Sequence, residues 1–292
     1  MLTVTKLRVR SYDLDHLDIF WEILETTEDV EAYDFYVLRS IDGPAGPFEV
    51  ISPPFYNTYQ FRDPNVHLLH KWRTYYYMIR VVHRETQEAQ EFGPEWHRAK
   101  PDLVGLEIQR RERLMFEEFI GRAVFLFPVL TFGQRCPVCW DVGPLGNTIG
   151  RSTNENCATC FDTTWVQGFA SPIISYMQID PTAKRPQKSD HGDSQFVTTT
   201  ARTSAFPPVK PEDIIVEAEN IRWGVEQLSG TEKLRSQVRQ EFQLRQLPPS
   251  DIRYKLPVDY DLLAEHSPRR AFVRPMDLQE EPLDLPNPFK VS

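Results

Sequence analysis

The sequence has no apolar run able to span a membrane. Its longest, Ala123 to Leu130, is interrupted by Pro128 and falls far short of the roughly 18 residues a spanning helix needs. No membrane partner is therefore expected. A basic block is also missing: the net charge of −9 divides as −5 over residues 1–100, −1 over 101–257 and −3 over 258–292. Nucleic acids are held by clustered Lys and Arg that release counterions, so a nucleic-acid role for the whole chain is disfavoured. The opening residues, Met1 to Arg10, lack the apolar segment of a secretory signal, and there is no Asn-x-Ser/Thr sequon. Synthesis in a reducing cytoplasm is the expectation. Glycine is scarce at 13 residues while proline is abundant at 24, a balance that favours stiff, extended connections.

Catalytic signatures are missing as well. There is no Gly-x-Ser-x-Gly elbow, no Gly-x4-Gly-Lys phosphate loop and no His-Glu-x-x-His helix, so an enzyme is not expected. Gly143, Gly146 and Gly150 have the wrong spacing for a dinucleotide fingerprint and read as turn formers. His67 and His70 read as loop residues. Asp13, Asp15 and Asp18 lack the glycine and distal glutamate of a calcium loop and read as a solvated loop.

What is present is a folded composition, 40% hydrophobic and 26% charged, in a chain long enough for two or three units. Residues 1–96 alternate with period two at Thr3, Thr5, Leu7 and Val9, at Leu17, Ile19, Trp21 and Ile23, at Tyr33, Phe35, Val37 and Arg39, and at Tyr75, Tyr77, Ile79 and Val81. Short strands at this spacing predict a β-sandwich. Trp21, the Phe61-Arg62-Asp63 turn, Leu69 and the run from Thr74 to Val82 resemble a fibronectin type III module, which implies a buried Trp21 and a corner tyrosine at Tyr75. Such a core would owe nothing to the cysteines and would melt by itself.

Residues 97–131 form a link, with helical spacing over 102–121, capped by Asp102 and stopped by Gly121, then a strand from Val124 to Leu130. Arg110, Arg111 and Arg113 on that helix are best read as partners of Glu107, Glu112, Glu117 and Glu118 at i,i+4-type spacings. All four cysteines fall in residues 132–172, as Cys136-Pro-Val-Cys139 and Cys157-Ala-Thr-Cys160, 17 residues apart. Two such knuckles can aim four thiolates at one tetrahedral zinc, the pattern of a zinc ribbon. One structural zinc per chain is expected, since four thiolates leave no open position and the segment has too few aliphatic residues for its own core. Disulfides are the alternative. Arg135 and Arg151 are placed either to offset the charged centre or simply for solubility.

Residues 173–257 return to short strands, at Ile173 to Ile179, Gln195 to Thr200, Ile214 to Val216, Asn220 to Val225, Gln237 to Leu247 and Ile252 to Leu256, with Thr182 to Ser194 as a polar loop. A meander of this size predicts a small β-barrel. Residues 258–292 carry five prolines and no usable period. They are read as an extended arm with Phe272, Leu278, Leu283, Leu285 and Phe289 as partner-binding anchors. The fold class expected is thus mainly β and multidomain: sandwich, linking helix, four-cysteine zinc knuckle, small barrel and arm.

Three stretches carry a wider resemblance: Arg135 to Asp141, Cys157 to Thr163 with Pro172-Ile173, and Lys210-Pro-Glu-Asp-Ile-Ile-Val216 before Arg222-Trp223-Gly-Val225. Together they resemble neck and head-closure proteins of tailed bacteriophages. Glu212 stands where those chains have glycine, which argues against a tight turn there, and Asp162-Thr163-Thr164 replaces a Gly-Thr-Gly. The resemblance implies a structural virion protein that rings with copies of itself and meets portal, connector, tail or fibre proteins. A baseplate or fibre-attachment role, and a zinc-ribbon module contacting DNA, are the alternatives.

Overall fold

In a computed structural model the described residues are 1–66, 73–98, 102–142, 148–151, 156–180, 185–189, 192–233 and 236–266. His67, His70, Leu69, Gly143 and Gly146 fall outside them, as do the arm residues Phe272, Leu278, Leu283, Leu285 and Phe289. The chain runs β1 (Val4–Arg10), β2 (Leu17–Ile23), β3 (Tyr33–Ser40), β4 (Glu49–Val50), β5 (Gln60–Asp63), β6 (Tyr76–His83), β7 (Ala89–Trp96), α1 (Leu103–Met115) and β8 (Arg122–Phe127). Then come β9 (Trp140–Val142), β10 (Thr148–Arg151), β11 (Ile173–Ile179), β12 (Arg185–Ser189), β13 (Gly192–Ser204), β14 (Ile214–Val216), β15 (Arg222–Lys233), β16 (Ser236–Gln246) and α2 (Tyr260–His266). The protein is mainly β. No helix among the described residues is long and apolar enough to cross a membrane.

The first seven strands make two antiparallel sheets, in the orders β1-β2-β5 and β4-β3-β6-β7. Alternation dictates which side chains meet between them. Leu17, Ile19, Trp21 and Ile23 from one sheet, and Phe35, Val37, Tyr77, Ile79 and Val81 from the other, are all buried in one core. Residues 61–63 belong to strand β5 and make no turn; Asp63 is buried, accepting hydrogen bonds from the Tyr77 hydroxyl at 2.9 Å and from Arg39. Tyr75 is buried in the same core. That core does not stop at residue 96: Leu130, Trp165 and Ala170 are part of it. The cysteine-bearing segment thus supplies one of the large rings of the sandwich core.

The barrel is a closed ring of six strands, β11-β8-β14-β15-β16-β13, shut by pairing of β11 with β13. Its interior holds Val124, Leu126, Met177, Ile215, Trp223, Phe242 and Leu244. Strand β8, expected as a link, is one of its staves, pairing with both β11 and β14. Three further expectations need correction. Part of the polar stretch 182–194 pairs as a hairpin of β12 with β13. Ile252–Lys255 is a 3-10 turn, started by Asp251 accepting from Arg253 N. The first residues of the supposed arm form α2, which Asp259 initiates by accepting from the N–H groups of Asp261 and Leu262. A side-chain oxygen that satisfies first-turn donors outweighs the lack of periodicity.

Helix α1 begins as its sequence requires, with Asp102 accepting from Val104 N. It continues as a π turn, Phe116–Ile120, ending at Gly121. Arg111 pairs with Glu107 and Arg113 with Glu117, each at i,i+4. Asp13 in the β1–β2 loop and Asp18 in strand β2 are not simply solvated. Asp13 is fully buried and binds His16 at 2.7 Å and Arg113 at 3.2 Å, while the buried Asp18 takes Arg62 at 2.7 Å. The Arg62 guanidinium lies 3.7 Å from the ring centre of Phe206, which follows barrel strand β13. Sandwich, helix and barrel are thus joined by a buried ionic cluster.

Candidate metal centre

The knuckles sit on the excursion from β8 to β11, neighbouring staves of the barrel. Each knuckle is a tight turn closed by its own backbone: Trp140 N donates to Cys136 O at 3.0 Å, and Phe161 N donates to Cys157 O at 2.8 Å. The second is stitched back to the first by Cys136 N to Thr164 O at 2.9 Å and Val166 N to Gln134 O at 2.9 Å.

The second knuckle and the residues after it force several positions into the left-handed region. Asp162 has φ 65° and Thr164 φ 72°. Asp162 recovers part of the cost because its Oδ1 accepts from Cys157 N at 3.1 Å; Thr164 is β-branched and carries its strain. Gly168, at φ 66°, is required outright, since a Cβ there would lie 2.5 Å from the Cys160 carbonyl oxygen.

All four cysteines are buried, and their sulfurs lie within 4.8 Å of one another. The Cys136 and Cys157 sulfurs are 3.9 Å apart. A disulfide needs about 2.05 Å, and none of the four forms one. Tetrahedral zinc with bonds of about 2.3 Å separates its sulfurs by about 3.8 Å. The donor set therefore fits a structural zinc and not a pair of disulfides. Burial opposes ionisation of Cys157, yet hydrogen bonds from the Cys139 thiol and from the Cys160 and Thr159 N–H groups lower it to about 6. Burial pushes the Cys139 and Cys160 thiols of the same cluster up, so the four sulfurs share protons unequally unless a cation draws them off.

Arg135 has a more definite post than either role expected of it. Its guanidinium is stacked between the indoles of Trp140, 3.9 Å away, and Trp165, 3.6 Å away, and it bonds Glu25 at 3.1 Å. It fixes the knuckle to the sandwich. Arg151 belongs to β10, which pairs with β9 between the knuckles. Comparison with protein-family models and with curated proteins finds no match.

The second motif cluster lies at the barrel. Glu212 has φ 72°, so the tight turn is made without glycine. The turn aims Asp213 inward, where its carboxylate accepts from Val129 N at 2.8 Å and Lys210 N at 2.7 Å. Trp223 is fully buried in the barrel core, and its indole N–H donates to Glu217. Arg222 is buried too, donating to the carbonyls of Arg253 and Leu256. Arg222 and Asp213 stand out in the sequence as motif members, but their roles as ties between barrel and flanking segments emerge only from the fold.

Proposed function

We propose that this chain is a structural virion protein of a tailed bacteriophage, forming part of the neck as a ring with copies of itself. The observation that supports it best is the continuity of three β units. The sandwich core runs through Trp165 into the four-cysteine knuckle, and the knuckle is the loop between two staves of a closed barrel. A body braced in this way transmits load from one face to another, which is what a connector does. Four buried thiolates around one centre suit a brace and leave no position for substrate. Two antiparallel sheets closed over Trp21 and Tyr75 without a disulfide support a fibronectin type III reading of residues 1–96, displayed outward from the ring. The DNA-contacting alternative is weakened because Arg135, a cation beside the first knuckle, is engaged by two indoles and Glu25.

Negative-stain images of the purified protein at high concentration should show closed rings, and antibody to it should label particles at the junction of head and tail. A protein that stays monomeric throughout, or label confined to the baseplate, would overturn the reading.

A further inference from the structure

A groove follows the seam between sandwich and barrel. At one end is a cavity of about 100 Å³ among Leu130, Phe132, Ala170 and Ile173. Phe20, Trp21, Glu22, Pro208 and Lys210 line this end and also the next, a cavity of about 160 Å³ bordered by Lys6, Arg8 and Arg10. Those three cations recur at every second position of β1, so they project from one face of a strand that is the edge of its sheet. Lys6 is bonded to Glu22 at 2.6 Å. Among the described residues, Arg8, Arg10 and Lys210 have no salt bridge, although the chain has an excess of nine acids. Glu22, the partner of Lys6, lines both cavities and Arg10 bonds Tyr12, yet four cations to one carboxylate leave the trough a net positive rim, which asks for an occupant with spaced apolar side chains and negative charge.

The chain holds such a segment. Residues 276–286, Met-Asp-Leu-Gln-Glu-Glu-Pro-Leu-Asp-Leu-Pro, carry four carboxylates and no cation, with Leu278, Leu283 and Leu285 between them. Nine residues separate it from His266 at the end of α2, a reach of up to about 35 Å. We infer that residues 276–286 of one copy dock in this groove on a neighbouring copy, Leu283 and Leu285 entering the apolar end while the acidic side chains face Lys6, Arg8, Arg10 and Lys210. The choice of a neighbouring copy rests on the ring reading above; the choice of segment rests on charge and apolar spacing alone.

Zero-length carbodiimide coupling of full-length protein tests this, because it joins only carboxylates already touching amines. A mixture of ordinary and nitrogen-15-labelled chains should give cross-linked peptides joining Glu280, Glu281 or Asp284 to Lys6 or Lys210, with light-heavy pairs among them. Arg8→Glu should weaken self-association about tenfold, and Glu281→Arg in the same chain should restore it. Only unmixed pairs would put the segment in its own groove and overturn docking between copies. Association without these cross-links would refute the groove while leaving ring assembly standing. No association at all would refute the ring reading itself.

Discussion

With zinc bound at the four cysteines, as their geometry fits, withdrawing it should loosen the sandwich as well as the knuckle. A zinc held by four cysteines contributes roughly 10–16 kcal/mol to a small motif, so a strong chelator, or Cys160→Ser, leaves residues 134–168 without the means to stay folded. Trp165 then leaves the sandwich core, where it is 8% exposed and packs in one cluster with Trp21 and Phe35. A buried tryptophan hides about 200 Å², worth about 5 kcal/mol at roughly 25 cal/mol per Å². Part of that contact is with Arg135 in its own segment, so the sandwich forfeits about 2–3 kcal/mol. For a domain of this size the loss lowers the midpoint by about 10–20 °C. Hydrogen exchange resolved to single strands is the assay: amides of β2 and β6 should exchange about 30-fold to 150-fold faster after chelation. Unchanged protection in β2 and β6, while the knuckle amides exchange freely, would refute the shared core and restore an autonomous sandwich.

Gly168→Ala should cost about 3 kcal/mol and release zinc at lower chelator concentration, because a methyl group is forced against the Cys160 carbonyl at a left-handed position; urea unfolding and zinc titration check it. Glu212→Gly should stabilise the barrel by about 0.5–1 kcal/mol, since φ 72° costs glycine nothing, read as a higher urea midpoint. Burial pushes the Asp213 carboxyl up to about 7, against the Val129 and Lys210 N–H groups that favour its ionised form. A carboxyl whose folded value exceeds its unfolded one binds more protons when folded, so this contribution is fullest below 3.8 and is lost as pH rises through about 7. Unfolding free energies measured between about pH 5 and pH 8 should fall, and Asp213→Asn should flatten that slope.

Much of the fold was legible because its information is local. Period two at Leu17, Ile19, Trp21 and Ile23 and at Tyr75, Tyr77, Ile79 and Val81 places every one of those side chains inside. The Cys-x-x-Cys pairs, the Asp102 cap and the helix ion pairs depend on residues a few positions apart. What was not legible depends on distant partners. Nothing near Asp13 and Asp18 announces Arg62 or Arg113, so three aspartates in a loop look solvated. Strand β8 reads as a link because its neighbours β11 and β14 lie far downstream, and pairing of that kind has no local signature. Thr164 and Glu212 hold glycine conformations without glycine, each in a turn bonded to a residue far along the chain, Cys136 and Val225.

The position of β8 between β11 and β14 also sets an order of assembly. Two of the six seams of the barrel join β8, made before the knuckles, to β11 and β14, made after them, and β11 reaches β8 only after residues 128–172 have been drawn into a closed loop. The entropy of closing a loop rises with its length. Gathering Cys136, Cys139, Cys157 and Cys160 onto one ion shortens that loop before the strands meet. Metal binding would therefore act on the rate at which the ring of strands closes, giving a kinetic part to a site whose equilibrium part is to hold the knuckles.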